Sequence, residues 1–192
     1  MLLEHLLSDV CVKIDPIRKI QLLRTKFIDP GPLVSSLQSN SELWNRHTGR
    51  TASYGPHSAI DDIWVRYSVD GSSGPHTSVW YPGADKLTGI RDVCEKVRRV
   101  VNGKALGGVL ITRIPGGQEC KPHCDAGWHA EHYNLKCAIQ LQGNKEQAFH
   151  FEDESLSALP GDLYCFQNQY LHWVTNPSNE DRITLLMAIR TY

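Results

Sequence analysis

The feature that most narrows the folds open to this chain is the punctuation of its second half. The text from Gly108 to Ile114, Lys136 to Leu141, Ala148 to Phe151, Asp162 to Phe166, Trp173 to Asn176 and Arg182 to Ile189 is rich in β-branched and aromatic residues. Each of these short segments is bounded by Gly, Pro, Asn or Asp. Strands of that length and spacing favour an antiparallel sandwich or barrel over a doubly wound sheet. Ile60 to Tyr67 is expected to add an edge strand. Between Ala84 and Val101 the pattern changes: Leu87, Ile90, Val93, Cys94, Val97, Val100 and Val101 recur at helical spacing, and Gly103 supplies a stop. That helix is expected to lay its apolar face on one side of the sheet. Shorter helices are expected from Pro16 to Thr25 and from Ser41 to His47, with Ser41 as N-cap. His47 to Ala59 and Ser68 to Ala84 read as long loops, either lids and binding segments or disorder.

Within the β-rich half lies His123-Cys124-Asp125, followed by His172 and then, ten positions on, by Arg182. Residues i and i+2 of an extended segment point the same way, so His123 and Asp125 can reach one ion while Cys124 faces away. Two imidazoles and a carboxylate form a facial triad for Fe(II) that leaves about three positions open for a chelating co-substrate and O2. Arg182 offers a planar, permanently charged fork for a carboxylate, and Thr184, on the same strand face, adds a hydroxyl.

The ordered set His123-Cys124-Asp125, His172, Arg182-Ile183-Thr184 resembles the pattern of the 2-oxoglutarate and Fe(II)-dependent oxygenases. Pro115-Gly116-Gly117, Pro122, Pro160-Gly161-Asp162, Asn176 and Asp181 sharpen the likeness to the aspartyl/asparaginyl β-hydroxylase-like branch over residues 107–190. The resemblance implies a mainly β fold with flanking helices, a double-stranded β-helix (jelly roll, cupin-like). It also implies His123, Asp125 and His172 as metal ligands, Arg182 and Thr184 at the co-substrate, and hydroxylation of an unactivated C–H bond using O2. Lys136 stands where this branch commonly shows an arginine directed at the co-substrate. Its amine is expected to add a second charge there, with a surface lysine as the alternative.

Length and charge bound the rest. A chain of 192 residues suits one domain, with a mixed helical and loop part over 1–105 and the β core over 107–190. The net charge of −1 supplies no field that would recruit nucleic acid or an anionic membrane. The stretch Met1-Leu2-Leu3-Glu4-His5-Leu6-Leu7 has no basic flank and is interrupted by Glu4 and His5, so no signal peptide is read there and a cytoplasmic location is expected. Six scattered cysteines point to reduced thiols. Cys120, His123 and Cys124 lack the paired spacing of a zinc site. Trp128, His129, His132 and Tyr133 are candidates for the mouth of the site, with Trp173, His150 and Arg66 as weaker ones. The substrate is expected to be an aspartyl, asparaginyl or similar side chain, in a peptide or a small amino-acid-like molecule. The alternatives are a nucleobase oxygenase and a cupin-like metal-binding or sensing domain without turnover; Arg182 argues against the latter.

Overall fold

Alternation along one strand organises the molecule, which is described here from a computed structural model over residues 11–52 and 54–192. Strands β1 (Ile20–Arg24), β2 (Asp61–Tyr67), β3 (Val79–Trp80), β4 (Ala105–Ile114), β5 (Glu119–His123), β6 (Leu135–Gln142), β7 (Ala148–His150), β8 (Ser155–Leu156), β9 (Leu163–Phe166), β10 (His172–Thr175) and β11 (Arg182–Arg190) form two sheets. The larger has the order β1-β9-β6-β11-β4-β2-β3 and the smaller β5-β10-β7-β8, with antiparallel pairing throughout. This is the jelly roll expected from the sequence.

At the centre of the large sheet, β11 turns Ile183, Leu185, Met187 and Ile189 to one face, where they pack with the helices. The other face carries Arg182, Thr184, Leu186 and Ala188 toward the cavity between the sheets. The period of two therefore gives one strand a structural side and a chemical side. Helix α1 (Gly31–Ser39) starts with proline in its first turn, and helix α2 (Ile90–Val100) buries Ile90, Cys94, Val97 and Val100. Leu33 and Leu37 of α1 join that cluster. A one-turn helix, α3 (Trp128–His132), follows the first pair of candidate ligands.

The end of α2 refines the sequence reading. Asn102, at φ 55°, is the left-handed residue, and the Gly103 and Asn102 amides donate to the Arg98 and Arg99 carbonyls, as in a Schellman motif. Gly103 is needed for space: a Cβ there would lie 2.4 Å from Ile189 Cγ2. The helix also begins later than Ala84. Pro82–Lys86 forms a 3-10 turn, and Gly89, at φ 70°, redirects the chain before Ile90.

Three expectations are corrected. Pro16 to Thr25 holds no helix; its apolar run is short enough to suit either period, and pairing of Ile20 with Phe166 draws it in as β1. Ser41 to His47 contributes only a 3-10 turn, Ser41–Leu43, preceded by Asn40 and with no side-chain cap. Asn45 breaks it at φ 58° by exchanging hydrogen bonds with the Asp62 backbone: its N–H donates to that carbonyl and its Oδ1 accepts from that N–H. Finally, β2 is an edge strand only in part, because the two-residue β3 pairs with its end at Arg66 and Tyr67. The reading of residues 1–9 lies outside the described residues. Among those described, no helix is long and apolar enough to cross a membrane.

Leu185, fully buried between the central strand and the helices, tests this packing. Leu185→Ala should cost about 2–5 kcal/mol in chemical denaturation. A loss below about 1 kcal/mol would show that the helix layer does not depend on this face.

Candidate active site

Antiparallel pairing of β5 with β10 sets His123 directly opposite His172, with ring centroids 4.3 Å apart. Each ring is aimed by the chain just before it. His123 Nδ1 lies 2.8 Å from the Lys121 carbonyl, and His172 Nδ1 lies 2.8 Å from the Tyr170 carbonyl. A carbonyl can only accept, so each Nδ1 carries the proton and each Nε2 keeps its lone pair free. The third member, Asp125, is held by Asn168: its amide N–H donates to the Asn168 carbonyl at 2.8 Å, and Asn168 Nδ2 donates to Asp125 Oδ2 at 2.7 Å. Asp125 Oδ1 is left 3.6 Å from His123 Nε2. One ligand atom from each of His123, Asp125 and His172 falls within 4.8 Å of the others. The donors suit Fe(II) in type and number, and outer hydrogen bonds of this kind are what fix metal ligands.

The electrostatics of the set follow from its burial. Burial alone would raise the Asp125 carboxyl, but Lys136, the Asn168 hydrogen bond, His172 and Arg50 hold it below its ordinary value. Burial lowers His172, against the pull of the Tyr170 carbonyl. Phe149 stacks on the His172 ring at 5.4 Å, with Phe151 and Phe166 also beside it, so an apolar wall keeps that imidazole neutral.

Across the cavity, the Arg182 guanidinium is buried at 4 % exposure and donates to Thr184 Oγ1 at 2.7 Å and to the Tyr164 hydroxyl at 3.1 Å. The Thr184 hydroxyl in turn donates to Gln140 Oε1 at 3.4 Å. Among the described residues, no carboxylate forms an ion pair with Arg182. A buried cation with orienting hydroxyls and no counter-ion suits an incoming carboxylate such as the far end of 2-oxoglutarate. Lys136 is a half-buried cavity residue whose charge desolvation disfavours and Asp125 supports. It pairs with Ala188, six residues further along β11 than Arg182, or roughly 20 Å at strand rise.

The cavity, about 580 Å³, is walled on its outer side by both long loops, through Gly49, Arg50 and His57 and through Gly71, Ser72 and Ser73. Arg50 is anchored by the fully buried Asp62 at 2.7 Å. Burial, then Arg50, drives His57 down to about 2, and burial drives His129 down to about 3. His129 also accepts the Gly108 amide through Nε2 at 3.0 Å, which fixes it as a neutral acceptor. Gly107 and Gly108 let α3 close on the sheet, since a Cβ would lie 2.7 Å from the Tyr133 ring and 2.9 Å from His129. Trp128 and His132 stack on each other beside this wall.

Other candidates lie elsewhere. Arg66 faces away from the cavity, donating to the Gly107 carbonyl and lying over Trp80. His150 bonds Thr175 and stacks on Trp173. Asn176 ties the Ile114, Pro115 and Glu180 carbonyls together. Sequence reasoning missed Asn168, Tyr164 and His57. Only Tyr164 carried a signal, through its alternation with Phe166 on β9.

The family model for aspartyl/asparaginyl β-hydroxylase matches residues 33–191, well beyond the 107–190 stretch in which the motifs lie. No curated protein sequence matches the chain. Among solved structures, a 2OG-Fe(II) oxygenase family oxidoreductase from Burkholderia pseudomallei aligns at TM-score 0.60 and 11 % identity, over 96 % of this chain and 95 % of that one. A prolyl hydroxylase from Trichoplax adhaerens, in complex with a hypoxia inducible factor oxygen degradation domain peptide fragment, aligns at 0.66 and 13 %, over 99 % and 92 %. A prolyl-4-hydroxylase from Pseudomonas putida aligns at 0.55 and 12 %, over 92 % and 94 %. At these identities the structural likeness is one of fold.

The Asn168 contact gives a direct test. Asn168→Ala should weaken Fe(II) or Co(II) binding by roughly 10–100-fold in an anaerobic titration. Unchanged affinity would mean that Asp125 does not depend on Asn168 for its orientation.

Proposed function

The chain belongs to the aspartyl/asparaginyl β-hydroxylase family, and on that footing we propose that its cavity binds Fe(II) through His123, Asp125 and His172 and 2-oxoglutarate through Arg182. The reaction is hydroxylation of an unactivated C–H bond on an aspartyl, asparaginyl or similar side chain. The observation that carries this reading is the buried Arg182, without a carboxylate partner among the described residues, facing the same cavity as the three candidate ligands. A metal-binding barrel without turnover has no use for such a clamp.

Bound together, Fe(II) and 2-oxoglutarate would supply the O2-dependent oxidising power. The protein's part is binding, orientation and exclusion of water. Thr184 and Tyr164 hold the guanidinium of Arg182, whose remaining N–H groups would be available to the co-substrate's far carboxylate. Lys136, near Asp125 and far along the sheet from Arg182, would meet the keto-acid end instead. His123 and His172 keep their protons on Nδ1, each donating to a backbone carbonyl, which preserves both Nε2 lone pairs for the metal. Phe149, Phe166, Val174 and Leu186 keep the inner cavity dry. The substrate would approach along the wall of Trp64, Tyr67 and His129, beneath the two loops. A side chain presented by a peptide agrees with the peptide carried by the Trichoplax adhaerens relative.

Anaerobic addition of Fe(II) and 2-oxoglutarate should produce a weak visible charge-transfer band, and admission of O2 should produce succinate. His123→Ala and Asp125→Ala should abolish turnover. Arg182→Ala should chiefly raise the 2-oxoglutarate requirement, by the equivalent of roughly 2–5 kcal/mol. Full activity in His172→Ala would overturn the metal assignment.

A further inference from the structure

A second group of ligand atoms lies on the other side of His123. His57 is 8 % exposed, and among the described residues its Nε2 has no hydrogen-bond partner. Buried polar atoms are seldom left so, and an ion is one of the few things that resolve them. The His57 ring meets His123 edge to face at 4.5 Å, and Cys120 Sγ, also buried, is 4.0 Å from His123 Nδ1. One ligand atom from each of His57, Cys120 and His123 lies within 4.8 Å of the other two, and all three residues line the cavity. The set is tied in place by the chain: Cys120 and His123 share β5, and the Lys121 amide donates to the carbonyl of Pro56, the residue before His57.

We propose that His57, Cys120 and His123 form a second metal site, for Zn(II) or a comparably soft ion, that competes with the iron set for His123. Two imidazoles and a thiolate are zinc donors, and they leave a fourth tetrahedral position for water. The two sets use opposite nitrogens of one ring. Nδ1 faces Cys120, whereas Nε2 faces Asp125. For the soft ion to bind at Nδ1, that nitrogen must release the Lys121 carbonyl, and its proton must move through solvent to Nε2. The Cys120 thiol gives its own proton to solvent as the metal–sulfur bond forms. A neutral imidazole has one lone pair for a metal, so Nε2 is then closed to iron. The competition rests on the iron reading above; the His57–Cys120–His123 site does not.

The test uses Co(II) as a spectroscopic stand-in for Zn(II) on the metal-free protein under anaerobic conditions. Binding should produce a near-ultraviolet thiolate-to-cobalt band, which Zn(II) should displace. The band should be lost in Cys120→Ser and in His57→Gln, with Cys120→Ala as the substitute should the serine variant misfold. It should persist in Cys124→Ser and in His172→Ala, which dismantles only the iron set. Absence of the band from the wild-type protein, or its survival in Cys120→Ser, overturns the site. Zn(II)-loaded protein should also fail to develop the visible band with Fe(II) and 2-oxoglutarate; its full appearance would overturn the sharing of His123. If the iron reading itself is wrong, that visible band is missing with and without Zn(II) while the cobalt–thiolate band remains.

Discussion

The pairing of β5 with β10 is the constraint on which the rest of the site depends. It brings His123 and His172, which lie far apart in the chain, to adjacent positions, and it places behind each ring the carbonyl that orients it. A one-residue slip in this register would turn one imidazole to the outer face and leave the other alone. Asp125 is tied to the same pairing less directly, because Asn168, which holds it, lies in the turn that delivers β10. The three candidate ligand positions therefore reduce to one backbone register and one asparagine.

The large sheet supplies the other half of the arrangement. Its central strand has Leu185 packed against the helices and Arg182 and Thr184 facing the cavity, so the stability of the fold and the position of the proposed clamp share a backbone. The hydroxyls of Tyr164 and Thr184, the latter donating in turn to the Gln140 side-chain carbonyl, satisfy the guanidinium's hydrogen bonds in part, but they do not neutralise its charge. Burying that charge without a carboxylate costs several kcal/mol in principle. A carboxylate ligand relieves this cost, so binding there would stabilise the folded state by mass action as well as position the ligand.

What was legible in the sequence was whatever has a local period. Strands β4, β6, β7, β9, β10 and β11 and the helix α2 each write their alternation or apolar stripe into consecutive residues, and the i, i+2 spacing of His123 and Asp125 needs only an extended chain. The same logic failed where the period is ambiguous. Five residues from Ile20 to Arg24 suit either helix or strand, and only the unpaired edge of β9 decides between them. Ser41 looked like a helix cap until Asn45, held to Asp62, turned the chain away. Asn168 and His57 left no trace, because an asparagine after a strand and a histidine in a loop acquire meaning only from what the fold sets opposite them.

His123 shows how much can rest on a single backbone acceptor. Its neighbours offer a hard set on one side, with Asp125 and His172, and a soft set on the other, with Cys120 and His57. Neither set can select the ring by donor strength alone, since divalent ions favour both kinds of nitrogen and the order of affinities does not place Fe(II) first. The Lys121 carbonyl tips the balance by accepting a hydrogen bond from Nδ1–H at 2.8 Å, so that the lone pair points toward Asp125. That carbonyl belongs to β5 and is placed by the strand, and the adjoining amide is fastened to the loop that carries His57. Under the two-site proposal, whatever moves that loop acts on the hydrogen bond that would assign His123 to one metal set and withhold it from the other.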